Sequence, residues 1–190
     1  MSNRAQLILI LACVIGALGF VGYQVFRATG VRTYAPGVTF TEGSRLADFA
    51  SNGVRVVLFM ESDSRGQPLL RATFTPKDRG FHVYSKDLDP KTTGGVGLAT
   101  RLELLPHSSV RGAGQLFADI APQSHWVKEL DASVDIYPDG PVTLRLPIQF
   151  VGAATTIAAH VAVSYMACKT DGVCLLPVER QILDVQIASR

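Results

Sequence analysis

The chain has 190 residues, with 18 Lys and Arg against 16 Asp and Glu, which gives room for one domain and a further segment. Arg4 and Arg27 flank an apolar run, and the other 16 basic residues balance the 16 acidic ones. With no basic run or patch, nucleic-acid binding by phosphate neutralisation is not expected.

Residues 5–26 read AQLILILACVIGALGFVGYQVF and carry no charge. As a helix, 22 residues rise roughly 33 Å, enough to cross a hydrocarbon layer of about 30 Å. A cleaved signal peptide has a shorter apolar run and a small-residue exit site; this stretch has neither. The expectation is an uncleaved signal anchor over residues 1–27, a single transmembrane helix. One arginine near each end leaves its orientation open. Cys13 follows "ILA", loosely a lipoprotein cleavage box, but the apolar run continues for thirteen residues beyond it. It is read as a small apolar residue of the helix.

Residues 28–37 read as a linker, with a first strand near residues 38–41. From there the hydrophobic period is two. Strands are expected at 54–60 (VRVVLFM), 69–76 (LLRATFTP), 80–85 (GFHVYS), 100–105 (TRLELL), 132–138 (ASVDIYP), 142–150 (VTLRLPIQF), 155–167 (TTIAAHVAVSYMA) and 180–187 (RQILDVQI). "SRGQP" and "TPKDRG" read as turns, "YPDGP" as a hairpin turn, and residues 91–97 (KTTGGVG) as a flexible loop. Ile157, Ala159, Val161, Val163 and Tyr165 share one strand face; Leu183, Val185 and Ile187 share another, and the two should meet in a core. Eight or so short strands without a capped helix predict an antiparallel β-sandwich over residues 38–190.

Cys168 and Cys174 sit between the last two strands, with five residues between them. Asp171-Gly172 suits a turn needing positive φ at the glycine, so the cysteines should face each other near a hairpin tip. Three readings are open: a structural staple, a metal clip or a reactive dithiol. Closing so short a loop stabilises by only about 2.4 kcal/mol on the loop-entropy model, less than a staple between distant segments would give. Zinc sites space cysteines two to four apart and need four ligands. None of His82, His107, His125 and His160 is at ligand spacing from the pair, so no metal or other cofactor is expected. Lys169 would favour a thiolate and Asp171 would oppose it. His160 and Ser164 lie four residues apart on one strand with no acidic partner evident, so a hydrolase finds no support.

The segment VSYMACKTDGVCLLPVERQILDVQI resembles the end of the N-terminal periplasmic domain of the thiol:disulfide interchange protein DsbD. The shared pattern is a strand, Cys, five residues, Cys, two residues, Pro and a closing strand. "GFHVYSKDL" is similar to that family's aromatic strand, and residues 126–148 to its cap region and following hairpin, so the resemblance covers residues 38–187. It implies an immunoglobulin-like sandwich carrying a redox-active pair at one end. Cys174 would form the mixed disulfide with a partner and Cys168 would resolve it. Tyr84 matches a flanking aromatic position. His82 matches another but is read as a polar surface residue in preference to one that tunes a thiolate. The cap would span Trp126, Glu129, Leu130 and Asp131, poorer in aromatics than the family's. The implied activity is a thiol:disulfide oxidoreductase relaying electrons to or from periplasmic thioredoxin-like proteins, anchored in a bacterial inner membrane. Full-length family members also carry a multi-helix membrane domain and a terminal thioredoxin-like domain; neither occurs here, so a separate membrane protein is expected to donate the electrons. The alternative is a non-catalytic immunoglobulin-like binding module whose disulfide braces the hairpin.

Overall fold

The computed structural model describes residues 40–128, 131–152 and 156–188. The signal anchor, the linker and Cys13 lie outside the described residues. Those described form an all-β fold of thirteen strands with antiparallel pairing and no α-helix.

The larger sheet is built by alternation. In β2 (Val54–Ser62), Val54, Val56, Leu58 and Met60 point inward; in β3 (Pro68–Pro76), Leu70, Ala72 and Phe74 do so. β10 (Val142–Phe150) adds Val142, Leu144, Leu146 and Ile148. The order is β1-β2-β3-β10, with β6 (Val110–Gly112) and β7 (Phe117–Ala118) both pairing with β10. A second sheet runs β13-β11-β5, from β13 (Val178–Ala188), β11 (Thr156–Tyr165) and β5 (Arg101–Leu104). Its register sets Ile157 opposite Ile187, Ala159 opposite Val185 and Val161 opposite Leu183. The inward faces of both sheets contribute to one apolar cluster, in which Phe74 meets Tyr165 edge-on at 5.6 Å. Each large side chain so buried contributes about 1.5–3 kcal/mol.

The first strand is β1 (Arg45–Ser51), later than expected. Of the expected stretch, residues 38 and 39 lie outside the described residues and Thr41 is in no strand. β1 pairs with β2 across Asn52-Gly53, both at positive φ (45° and 74°), the conformation a two-residue hairpin with the strands' own twist requires. A Cβ at Gly53 would collide with Leu175, and the Asn52 amide donates to the Pro177 carbonyl at 3.1 Å. The turn therefore holds the chain that follows Cys174.

Two expectations about connectivity need correction. YPDGP does not close a hairpin: β9 (Ala132–Ile136) pairs with β8 (Gln123–Val127), whereas β10 pairs with β3. The segment instead carries the chain between sheets, with Tyr137 buried, its N–H donating to Val83 and the Gly140 N–H donating to Phe81. The expected strand 155–167 is also broken. Its register shifts between Val163 and Tyr165, and after Met166 the chain continues as β12 (Ala167–Lys169), paired with β4 (Phe81–Val83). The long strand thus leaves the main core and delivers Cys168 to a smaller group of strands.

Candidate functional site

Cys168 ends up opposite Cys174 because the intervening residues make a tight hairpin. Gly172 donates to the Lys169 carbonyl at 3.0 Å with φ +91°, and the Asp171 carboxylate accepts from Val173 N–H at 3.3 Å. Backbone bonds from Lys169 to Val173 (2.8 Å) and from Leu175 to Ala167 (2.9 Å) flank the cysteines. The cysteines are therefore a non-hydrogen-bonded cross-strand pair, the type in which Cα atoms approach most closely. Their Cα atoms are 4.0 Å apart and their sulfurs form a disulfide. Among the described residues no group of three or more His, Cys, Asp or Glu is arranged to hold a metal.

The two sulfurs have different surroundings. Cys168 is 2% exposed and belongs to a small apolar cluster with Tyr84, Leu88, Ala99 and Val134. Cys174 is exposed. Cys174 therefore lies at the surface, whereas Cys168 is covered by protein.

Tyr84 lies over the pair, its hydroxyl 3.3 Å from Cys168 Sγ and 4.0 Å from Cys174 Sγ. With both sulfurs oxidised neither carries a proton, so the hydroxyl is the donor. Burial pushes its pKa up, keeping it protonated. Its main chain is held by a bridge between Tyr84 and Ile136 and by the Thr100 hydroxyl donating to the Tyr84 carbonyl at 2.7 Å. Gly97, at φ +89°, approaches so closely that a Cβ would sit 3.1 Å from Tyr84 Cζ. Residues 91–97, expected to be a flexible loop, are organised by turn hydrogen bonds, with Thr93 buried. No signal beyond glycine content marks this packing in the sequence.

His82 is not the surface residue expected. It is 3% exposed and sits directly across from Cys168 in the β4–β12 register. β4 is buried along its whole length, having β12 on one side and β9 bridged at Tyr84 on the other, so alternation does not expose the histidine. Its Nδ1 is 3.4 Å from Asp139 Oδ1, within ion-pair distance but not aligned as a hydrogen bond, and is otherwise unpartnered. Burial lowers the His82 pKa; Asp139 opposes this and His125 adds a smaller lowering.

A cleft of ≈ 420 Å³ runs beside the pair, bordered by Tyr84, His82 and the β8–β9 hairpin. Trp126 lines it from strand β8, not from a loop, and remains 57% exposed. The hairpin tip closes with Asp131 N–H donating to the Lys128 carbonyl at 3.2 Å, Asp131 having φ 48°. Glu129 and Leu130, the middle of the expected cap, lie outside the described residues. His125 and Asp139 also belong to this neighbourhood and carried no motif that would single them out.

His160 does have an acidic partner, Asp184 on the adjacent strand, 2.5 Å away. The Ser164 hydroxyl, however, accepts from Arg180 N–H at 2.9 Å and lies four strand residues off, roughly 13 Å along the chain. The three form no triad. No protein-family model matches the sequence, and no curated protein matches it.

Proposed function

We propose that this chain is a thiol–disulfide exchange protein working through Cys168 and Cys174. The observation that carries the reading is the unequal exposure of the two sulfurs, with a proton-bearing hydroxyl held against the buried one. Exchange needs an accessible sulfur to be attacked and a stabilised leaving thiolate. A partner thiolate attacks Cys174 Sγ, the disulfide breaks and Cys168 leaves as a thiolate facing the Tyr84 hydroxyl. In the opposite direction a Cys174 thiolate attacks an oxidised partner, and Cys168 then resolves the mixed disulfide.

Within this reading the domain is an immunoglobulin-like sandwich of the DsbD N-terminal type. The two antiparallel sheets sharing one apolar cluster and the cysteine hairpin beyond them support that assignment. Its partners are periplasmic thioredoxin-like proteins and a separate membrane electron donor. The N-terminal anchor in the inner membrane raises the effective concentration against that donor.

Full-length protein carrying Cys168→Ser should trap a mixed disulfide through Cys174 with an oxidised thioredoxin-like protein. Cys174→Ser should trap none and lose exchange. Full exchange activity in Cys174→Ser would sink the assignment. A second reading draws on the exposed apolar side chains Trp126, Val173 and Leu176: a binding module whose disulfide braces the hairpin. That reading expects neither variant to trap a partner.

A further inference from the structure

A disulfide that opens toward a buried sulfur creates a charge inside the protein. Cys168 is 2% exposed, and a thiolate there is costly without a compensating cation. Lys169 is not placed to be that cation. It follows Cys168 in β12 and borders the cleft, but its ammonium sits 5.2 Å over the Phe81 ring. Lys128 is exposed at the hairpin tip.

We infer that His82 takes up the proton that allows Cys168 to persist as a thiolate once the disulfide opens, an inference that rests on the exchange reading. Three observations meet here. Directly paired strand residues project to the same face with Cβ atoms about 4.5–5.5 Å apart, and His82 pairs with Cys168. Both residues border the same cleft. His82 Nδ1 is buried without a hydrogen-bond partner, yet Asp139 Oδ1 stands 3.4 Å away, so a protonated ring meets a carboxylate already in place. The other titratable groups facing this ring or its cleft are Tyr84 just after β4, His125 on β8, and Lys128, Lys169 and Asp171 around the rim.

The step balances with a dithiol as reductant. Its first thiolate attacks Cys174 Sγ, and the electron pair of the broken S–S bond leaves on Cys168 Sγ. Its second sulfur closes the reductant's own disulfide and releases Cys174. Of the two protons the dithiol gives up, one ends on the Cys174 thiol and the other on His82. The product holds a Cys168 thiolate beside a His82 imidazolium. While the disulfide is intact burial keeps the ring neutral, and the appearance of the thiolate reverses that preference.

The test is the pH titration of Cys168 in the full chain carrying Cys13→Ala and Cys174→Ser, followed by ultraviolet thiolate absorbance. The midpoint should fall below the ordinary value of about 8.5 and rise to or above it in His82→Phe. Asp139 is half exposed, so Asp139→Asn leaves the packing intact and should move the midpoint the same way by less. In the Cys13→Ala chain, the His82 ring resonances should show a neutral ring with the disulfide formed and a protonated one after reduction by dithiothreitol at the same pH. A midpoint unmoved by either substitution, or a ring that stays neutral on reduction, overturns the inference. If Cys174 still traps partners in that case, the exchange reading survives and only the role of His82 falls.

Discussion

Among the described residues there are two apolar clusters, and they treat polar groups differently. The large one, to which both main sheets contribute, is filled by Phe74, Leu58, Leu144, Ile148, Val161 and their neighbours. Its conspicuous polar tip, the Tyr165 hydroxyl, is satisfied by the Ser51 carbonyl at 3.0 Å. The small cluster around Cys168 is surrounded by polar groups out of water. Of the buried polar residues described, His82, Ser85, Thr93 and Thr100 lie on β4 or in the segment after it, and only Thr143 and Ser164 lie elsewhere. Buried polar groups cost free energy unless paired, and here most are paired to backbone while His82 Nδ1 is not. Under the exchange proposal the contrast separates two tasks: the large cluster holds the fold, and the small one presents a breakable bond beside groups that donate or accept protons.

That separation can be broken experimentally, and the largest effect belongs to the large cluster. Phe74→Ala removes a ring with no exposure and should cost about 3–5 kcal/mol in denaturant unfolding. The exchange rate of the molecules that remain folded should not change; a folded variant without exchange would show the clusters to be coupled.

A pH effect follows from the same region. Tyr165 has its pKa raised from 10.0 to about 12 by burial, against a lowering contribution from the hydrogen bond to Ser51. The unfolded chain then releases this proton more readily than the folded one. The stabilisation is complete below pH 10 and is lost as pH rises through about 12, roughly 2–3 kcal/mol in all. Unfolding at stepped alkaline pH checks this. Tyr84 and Tyr137 are raised as well and add in the same direction.

The small cluster is addressed by Tyr84→Phe, which deletes the hydroxyl and keeps the ring. Tyr84→Ala is the poorer choice, because a side chain this buried leaves a cavity. Stability should change by about 1 kcal/mol or less, whereas exchange should slow by roughly tenfold or more, since the donor to the leaving thiolate is gone. An unchanged rate would remove Tyr84 from the chemistry. The smallest expected change in stability is at the rim: Trp126→Ala should shift it by no more than about 0.5 kcal/mol, as the ring is largely exposed. Its effect should be confined to the second-order rate with a protein partner, leaving the rate with dithiothreitol unchanged.

The two clusters were also unequally legible in the sequence. A largely period-two pattern marked β2, β3, β10 and β11, because each has a face in the large cluster. β1 escaped because it is only half buried and begins in Gly- and Ser-rich sequence, although Asn52-Gly53 was a readable hairpin signal. β6, β7 and β8 are short, with little buried surface to impose a period. Around the site, Asp171-Gly172 foretold that the cysteines would meet. The burial of His82 was not legible, since a histidine in a three-residue strand covered on both sides gives no alternation to read. Nor was the break at Met166, which depends on β12 finding β4 rather than on any local breaker.

The reduction potential of the Cys168–Cys174 pair tests the central claim most directly, measured on the full chain with Cys13→Ala by equilibration against glutathione or dithiothreitol. A working exchange couple predicts a value between roughly −200 and −270 mV. A value well below about −300 mV belongs to a structural disulfide and would contradict the account.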